Sequence, residues 1–356
     1  MKRTLCILTK LTVLLLLLCL LPLAATAEAS EDIPEADGKW ESFLLICNEG
    51  MNNDKGNAGN TLMVAAMEPD QGRIHLMMFT WDTFIDYEGY DVPQKLDMPY
   101  RNNGPEEAVK VFNDNFGLNI KHYLSLNYLN LASLIDEYGG VNVDITRAER
   151  NALNGMVASK KISLQEQVAA GELGQTVIDM LAQEYYLNDF GPNTHLNGLQ
   201  AVGYGWLQYD SVYNCCQRDA NVVAALFHSA GNYILDKVAL YTDATGVPAD
   251  DYARRLINLD DITEEDYKYL RDQIAPIFQM SVNNMSEDEI RSITLALARI
   301  AYQAEREGAS IFDLIKSTIL PLEATQPYEF VAGAQGHIID KEANIEAIKK
   351  FLYTED

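Results

Sequence analysis

An apolar stretch of this chain stops on Thr80-Trp81-Asp82-Thr83. It thereby sets polar side chains at a strand end, where α/β sheets commonly place ligands. Asp82 there has two readings. It can hold a metal ion, or it can join Thr83 in bonding local backbone amides. Trp81, Tyr204 and Trp206 are either core aromatics or, if they face a pocket, rings on which a sugar can stack. His75, His122, His195, His228 and His337 are scattered without metal-ligand spacing. No Ser/His/Asp order, glycine-rich phosphate loop or zinc pattern stands out.

The elements that must position Asp82 are legible around it. Leu62 to Met67 and Ile74 to Phe79 are apolar runs separated by Glu68-Pro69-Asp70-Gln71-Gly72, a gap whose residues favour a turn between adjacent strands. Neither run alternates cleanly, which suits central strands covered on both faces. Trp40 to Cys47 reads as an earlier strand, with Asn48 to Gly59 and Asp86 to Arg101 as loops. Pro105, followed by Glu106 and Glu107, opens a helix ending at Gly117. Tyr123 to Leu126, Tyr128 to Tyr138 and Val141 to Ile145 read as strand, helix, strand, implying a parallel pairing with helices on the sheet faces. Asn197 can cap a helix to about Gln208, and another runs from about Gln217 to Leu235. Thr263 and the box Ser286-x-x-Glu289 open two more. Asp340 can cap a last helix to Tyr353.

Composition narrows the partners. The 356 residues hold 52 Asp and Glu against 27 Lys and Arg, a net charge of −25. That field disfavours nucleic acid and anionic membrane surfaces. Lys2, Arg3 and Lys10, the apolar run Leu11 to Leu23 and Ala25-Thr26-Ala27 have the order of a secretory signal over 1–27. An exported protein is therefore expected, released after cleavage or else anchored by an uncleaved segment. Residues 28–39 form an acidic linker. The region 147–194 reads as a helical insertion, either a cover for the sheet or a lid.

The order of these segments resembles the LytR-CpsA-Psr family of cell-envelope proteins. The likeness runs through Leu44-Leu45-Ile46-Cys47-Asn48-Glu49, Ala58-Gly59-Asn60-Thr61, Thr80-Trp81-Asp82-Thr83 and Lys95-Leu96-Asp97. It continues through Gly104-Pro105-Glu106, Tyr138-Gly139-Gly140-Val141 and His195-Leu196-Asn197-Gly198. The resemblance implies a three-layer α/β/α sandwich with a mixed central sheet over 40–356, in which 245–356 is a helical region with a closing strand pair, Tyr328 to Val331 and His337 to Ile339. It also implies a polyprenyl-pyrophosphate-linked glycan as ligand, an apolar tunnel for its lipid, Mg²⁺ as a possible cofactor, and transfer of the phosphoglycan onto peptidoglycan. Cys215, by the same likeness, returns toward Cys47, so a bridge from Cys47 to Cys215 or Cys216 is one expectation and three buried thiols the other.

Phosphoryl transfer needs cations around developing charge, and arginine supplies planar bidentate donors. This chain departs from the family there. Trp81 stands where an arginine is expected, Ala58 likewise, and Asn60 replaces an aspartate. Tyr204-Gly205-Trp206-Leu207-Gln208 lacks both arginines of the corresponding family segment. Asp82, Lys95 and Arg218 survive in identity, and Glu49 in kind. The resemblance thus points to Asp82 and Arg218 as catalytic, Asp82 and Glu49 as metal ligands, and Asn60, Trp81, Lys95, Tyr204, Trp206 and Gln208 as ligand-binding. Lys95 is otherwise a solvated lysine, and Arg218 an ion-pair partner. Removing one charge-stabilising donor typically costs about 3–4 kcal/mol, so weakened or lost transfer is expected. The alternative is a non-catalytic lipid- or glycan-binding module.

Overall fold

A computed structural model describes residues 40–50, 59–68, 72–171, 186–248, 251–252, 254–255, 262–322, 328–331 and 333–353. The expected signal and linker lie outside them, as does residue 172–185 of the insertion. Among the described residues no helix is long and apolar enough to cross a membrane.

The two apolar runs on either side of Pro69-Asp70 in the sequence are strands β2 (Gly59–Glu68) and β3 (Arg73–Phe79), paired antiparallel with Met63 opposite Met78. Strand β1 (Glu41–Asn48) lies antiparallel on the other side of β2 and parallel to β6 (His122–Asn127). Two edges complete this mixed sheet, in the order β10-β3-β2-β1-β6-β9. Strand β9 is Val282–Asn283, and β10 (Ile315–Leu320) runs parallel to β3. Alternate residues serve opposite faces. Phe43, Met63, Ala65, Met67, Leu76 and Met78 pack beneath helices α6 (Val212–Thr245), α7 (Glu264–Met280) and α8 (Glu287–Glu307). Leu44, Ile46, Leu62, Val64, Met77 and Phe79 pack on the other side against α1 (Met98–Asn103), α2 (Pro105–Phe116) and α9 (Lys341–Tyr353). Both faces are covered, which is why the strands read as unbroken apolar runs. This is the three-layer α/β/α sandwich.

The strand–helix–strand unit is arranged otherwise than its order suggests. Helix α3 (Tyr128–Glu137) follows β6, but β7 (Val141–Ile145) leaves the main sheet and pairs antiparallel with β8 (Gly191–Leu196). Val141, Val143 and Ile145 are buried while Asn142 and Asp144 are exposed. Such alternation fits a strand with one wet face, a feature of small antiparallel sheets and not of buried parallel ones. The helical insertion begins with α4 (Arg147–Ala169), started by a box in which Thr146 and Glu149 bond each other's backbone. The same device opens α5 (Gly198–Gly205) through Asn197 and Gln200, and opens α7 and α8 through Thr263 and Ser286. Helix α6 is longer than its apolar pattern suggests, running from a Ser211 cap to Gly246 in the left-handed region. The expected loop 86–101 also holds structure, the short strand β5 (Gln94–Lys95) and the start of α1.

A second sheet, in the order β11-β12-β4-β5, joins β4 (Thr83–Ile85) and β5 to the closing pair β11 (Tyr328–Val331) and β12 (Ala334–Ile338). It sits directly after Asp82, so the far end of the chain helps shape the turn that carries that residue.

Candidate functional site

The site forms where β3 ends. Thr80 and Thr83 share a hydroxyl hydrogen bond of 2.7 Å, and the Thr80 amide donates to the Leu320 carbonyl at 2.8 Å. From the closing pair, the His337 amide donates to the Asp82 carbonyl at 3.2 Å. At Gly336 an added Cβ would fall 2.1 Å from that same carbonyl, so only glycine permits the approach. Asp82 is 2% exposed, and its Oδ1 is buried without a hydrogen-bond partner. Burying a carboxylate oxygen unpaired is costly, and such an atom is a candidate for meeting a ligand.

Beside this turn opens a cleft of about 370 Å³, within the roughly 300–1,000 Å³ usual for small-ligand sites. Trp81, Lys95 and Gln208 all line it, three of the residues marked by the sequence. The Lys95 ammonium lies over the Trp81 ring, 5.3 Å from its centre, a cation–π contact. The cleft also contains a pair that sequence reasoning missed. Arg101 bonds Asp97 at 2.7 Å, one helical turn apart. Burial pushes the Asp97 carboxyl up, while Arg101 and Lys95 pull it back. Asp97 lay in plain view beside Lys95, and the i, i+4 spacing to Arg101 is the signal that could have found the pair.

Other marked residues point elsewhere. Arg218 is buried at 4% exposure. Its guanidinium meets Asp210 twice, at 2.9 and 2.6 Å, donates to the Leu207 carbonyl at 2.5 Å, and has Glu149 at 3.7 Å. The ion-pair reading describes its surroundings: both terminal nitrogens of the guanidinium donate within the fold, while Nε is buried without a partner. Tyr204 is a core residue whose hydroxyl donates to the Asp144 carbonyl at 3.1 Å. Trp206 is half-buried, and its indole N–H donates to Thr61 Oγ1 at 3.3 Å. Glu49 is exposed, and its charge helps to raise Asp97. The Asn60 side chain lies outside what the structure describes. Among the described residues no three His, Cys, Asp or Glu side chains gather so as to hold a metal ion. One unpartnered Asp82 oxygen does not make the oxygen-rich shell that Mg²⁺ requires.

Asp219 is a second unmarked carboxylate, fully within the core. Asp219 accepts a hydrogen bond from Thr61 Oγ1 at 2.5 Å, completing a chain from Trp206 through Thr61. Burial pushes its pKa up to about 7. Cys47, Cys215 and Cys216 are all buried and free, the three-thiol alternative and not the bridge. Burial, with the charge of Asp219 next in effect, holds the Cys47 thiol well above its usual range and pushes Cys215 up to about 12. Thiols so protonated are poor nucleophiles.

An apolar cavity of about 140 Å³ lies between the main sheet and helices α3, α6, α7 and α8. Leu45, Ala65, Leu124, Ile234 and Phe278 help line it, and Cys47 and Thr61 line it as well, near Asp219. Space walled this way stays dry unless an apolar ligand fills it. Neither Trp81 nor Trp206 lines it. Gly231 does, and a Cβ there would stand 1.9 Å from Ile311 Cδ1, so glycine lets α6 pass the turn at Ile311–Leu314.

A mixed sheet between helical layers, a polar cleft at its strand ends and an apolar cavity beneath define the class. The model of the LytR_cpsA_psr family matches residues 25–294, and the chain belongs to that family. Solved structures agree in fold. B. subtilis TagV superposes with a TM-score of 0.55 over 88% of this chain and 95% of its own, at 14% identity. TagT bound to LI-WTA gives a TM-score of 0.55 over 88% and 89%, at 11% identity. Among curated proteins, TagU of Enterococcus faecalis, named a polyisoprenyl-teichoic acid–peptidoglycan teichoic acid transferase, is 28% identical over 85 residues. That match covers 24% of this chain and 28% of the relative. The protein of the same name from Halalkalibacterium halodurans is 23% identical over 103 residues, covering 29% and 34%. The chain thus matches about a third or less of the length of these relatives.

Proposed function

We propose that this protein acts at the extracytoplasmic face of the cell envelope. There it binds a polyprenyl-pyrophosphate-linked glycopolymer, with transfer to peptidoglycan weakened or lost. The ligand class is supported by the names of the TagU relatives and by the TagT structure with LI-WTA, and by the open apolar cavity beside the strand ends. Export is supported by the signal-like order of residues 1–27.

The observation that carries the loss of transfer is the engagement of Arg218 by Asp210. With Trp81 and Gln208 in place of arginines, the cleft offers Lys95 and an Arg101 already paired with Asp97. That is scant charge for a pyrophosphate leaving group. A transferase reading is favoured by one feature, the unpartnered Asp82 Oδ1.

Calorimetric binding of undecaprenyl pyrophosphate with and without Mg²⁺, beside Asp82→Ala and Lys95→Ala, tests both. Binding without turnover of a lipid-linked glycan supports the proposal. Turnover abolished by Asp82→Ala would restore the transferase, and absence of binding in every condition would sink the ligand class.

A further inference from the structure

The loop between β4 and β5 carries a second cleft, of about 340 Å³. Its wall is a pair of tyrosines, with the rings of Tyr87 and Tyr90 5.2 Å apart and 19° from parallel. Tyr87 is buried beneath while Tyr90 is 47% exposed. Asn103 donates to the Tyr87 hydroxyl at 2.6 Å, and Asn102 to the Tyr90 hydroxyl at 3.3 Å. The exposed ring is therefore held flat by a partner behind it and an amide at its tip. Buried Asn115 fixes the loop, accepting from the Asp86 amide at 3.2 Å and donating to the Asp86 carbonyl at 3.0 Å.

Around this platform Asp86, Asp91 and Asp114 are exposed carboxylates, while Glu88 is taken by Lys110 at 2.8 Å. Lys341 is the one cation lining the cleft among the described residues. A rigid open aromatic face receives the C–H face of a pyranose ring, and carboxylates accept from its hydroxyls in short, charge-assisted bonds. The surrounding negative field repels phosphates and uronic acids.

We propose that this cleft binds a saccharide without negative charge, stacked on Tyr90 with its hydroxyls on Asp91 and Asp114. Pro93 lines both this cleft and the one at Trp81, so a glycan chain seated here runs on toward the candidate site. The proposal rests on the tyrosine platform and not on the lipid reading above.

The test is titration of the full chain with diacetylchitobiose and, separately, with digalacturonate, followed by saturation-transfer NMR. Chitobiose binding should fall at least about tenfold in Tyr90→Ala, a loss typical of one aromatic contact with its buried area. It should persist in Tyr90→Phe and weaken in Asp114→Asn, with digalacturonate not bound. Undecaprenyl pyrophosphate binding should be unchanged in Tyr90→Ala. Failure of chitobiose to bind, binding indifferent to Tyr90→Ala, or equal binding of digalacturonate would overturn it. Failure of the polyprenyl ligand alone counts only against the preceding proposal.

Discussion

Arg218 and Asp210 face each other across the start of α6, joined by two charged hydrogen bonds of 2.9 and 2.6 Å. The Arg218 hydrogen bond is the leading cause that holds the Asp210 carboxyl below its usual range. Asp210→Asn should release part of this grip. Removing one partner of a buried pair costs about 3–5 kcal/mol, and less where one side is wet. Because Asp210 is partly exposed, a loss of about 1–3 kcal/mol is expected in chemical denaturation. If the proposed function holds, the loosened guanidinium should also tighten undecaprenyl pyrophosphate binding. A variant of unchanged stability would show that Leu207 and Glu149 alone satisfy Arg218.

Trp81→Arg puts a bidentate donor where the family carries one. It would place a third cation in the cleft beside Lys95 and Arg101. Hydrogen bonds to charged groups are worth about 1.5–3 kcal/mol, so affinity for the pyrophosphate ligand should rise by roughly tenfold or more. The check is the same calorimetric titration. Lys95, now stacked over the indole, would be freed by the change. No gain in affinity would mean that the cleft does not receive the phosphates.

Asp219 should make the fold weaker as pH rises. Its folded pKa of about 7 stands above the ordinary aspartate value of about 3.9. Its contribution is therefore fully present below about pH 4 and is lost as pH climbs through 7. Asp219→Asn keeps an acceptor for Thr61 and removes the ionisation. The variant should be more stable than the parent at pH 8, by a margin that shrinks toward pH 4. Urea melts across that range decide it, and a margin independent of pH would refute the assignment.

His75 works in the opposite direction. It sits in β3 between the rings of Trp40 and Phe351, at 4.7 and 4.8 Å. Burial, followed by the charges of Lys316 and Arg73, lowers its pKa to about 4. A histidine kept neutral in the fold contributes stability that is whole above about pH 6.5 and disappears as pH falls toward 4. His75→Phe should flatten that acid limb, worth on the order of 1–3 kcal/mol. An acid limb of unchanged depth in the variant would place its origin elsewhere.

The fold was legible in the sequence wherever one local rule decided the outcome. The β2–β3 hairpin announced itself by its turn residues, and the boxes at Thr263 and Ser286 by spacing alone. Strand β7 was visible, but its partner was not. Pairing is set by which face is wet, and that depends on β8, some fifty residues on. Strand β10 went unseen because Lys316, Ser317 and Thr318 break its apolar residues, leaving neither an apolar run nor a clean alternation. In the site, Trp81, Lys95 and Gln208 were marked and do meet. Arg218 was marked too, but identity cannot show which acid claims a guanidinium. Asp219 and Asp97 took their character from burial, which sequence does not display.

The match to the family model ends at residue 294, but the folding unit does not. Strand β10 covers the outer edge of β3, and β12 leans on the Asp82 turn. A chain cut after α8 would leave β3 as an uncapped edge, its ladder of amides and carbonyls open to pairing with another molecule. Strands β10 and β12, both beyond residue 294, hold the Asp82 turn in place.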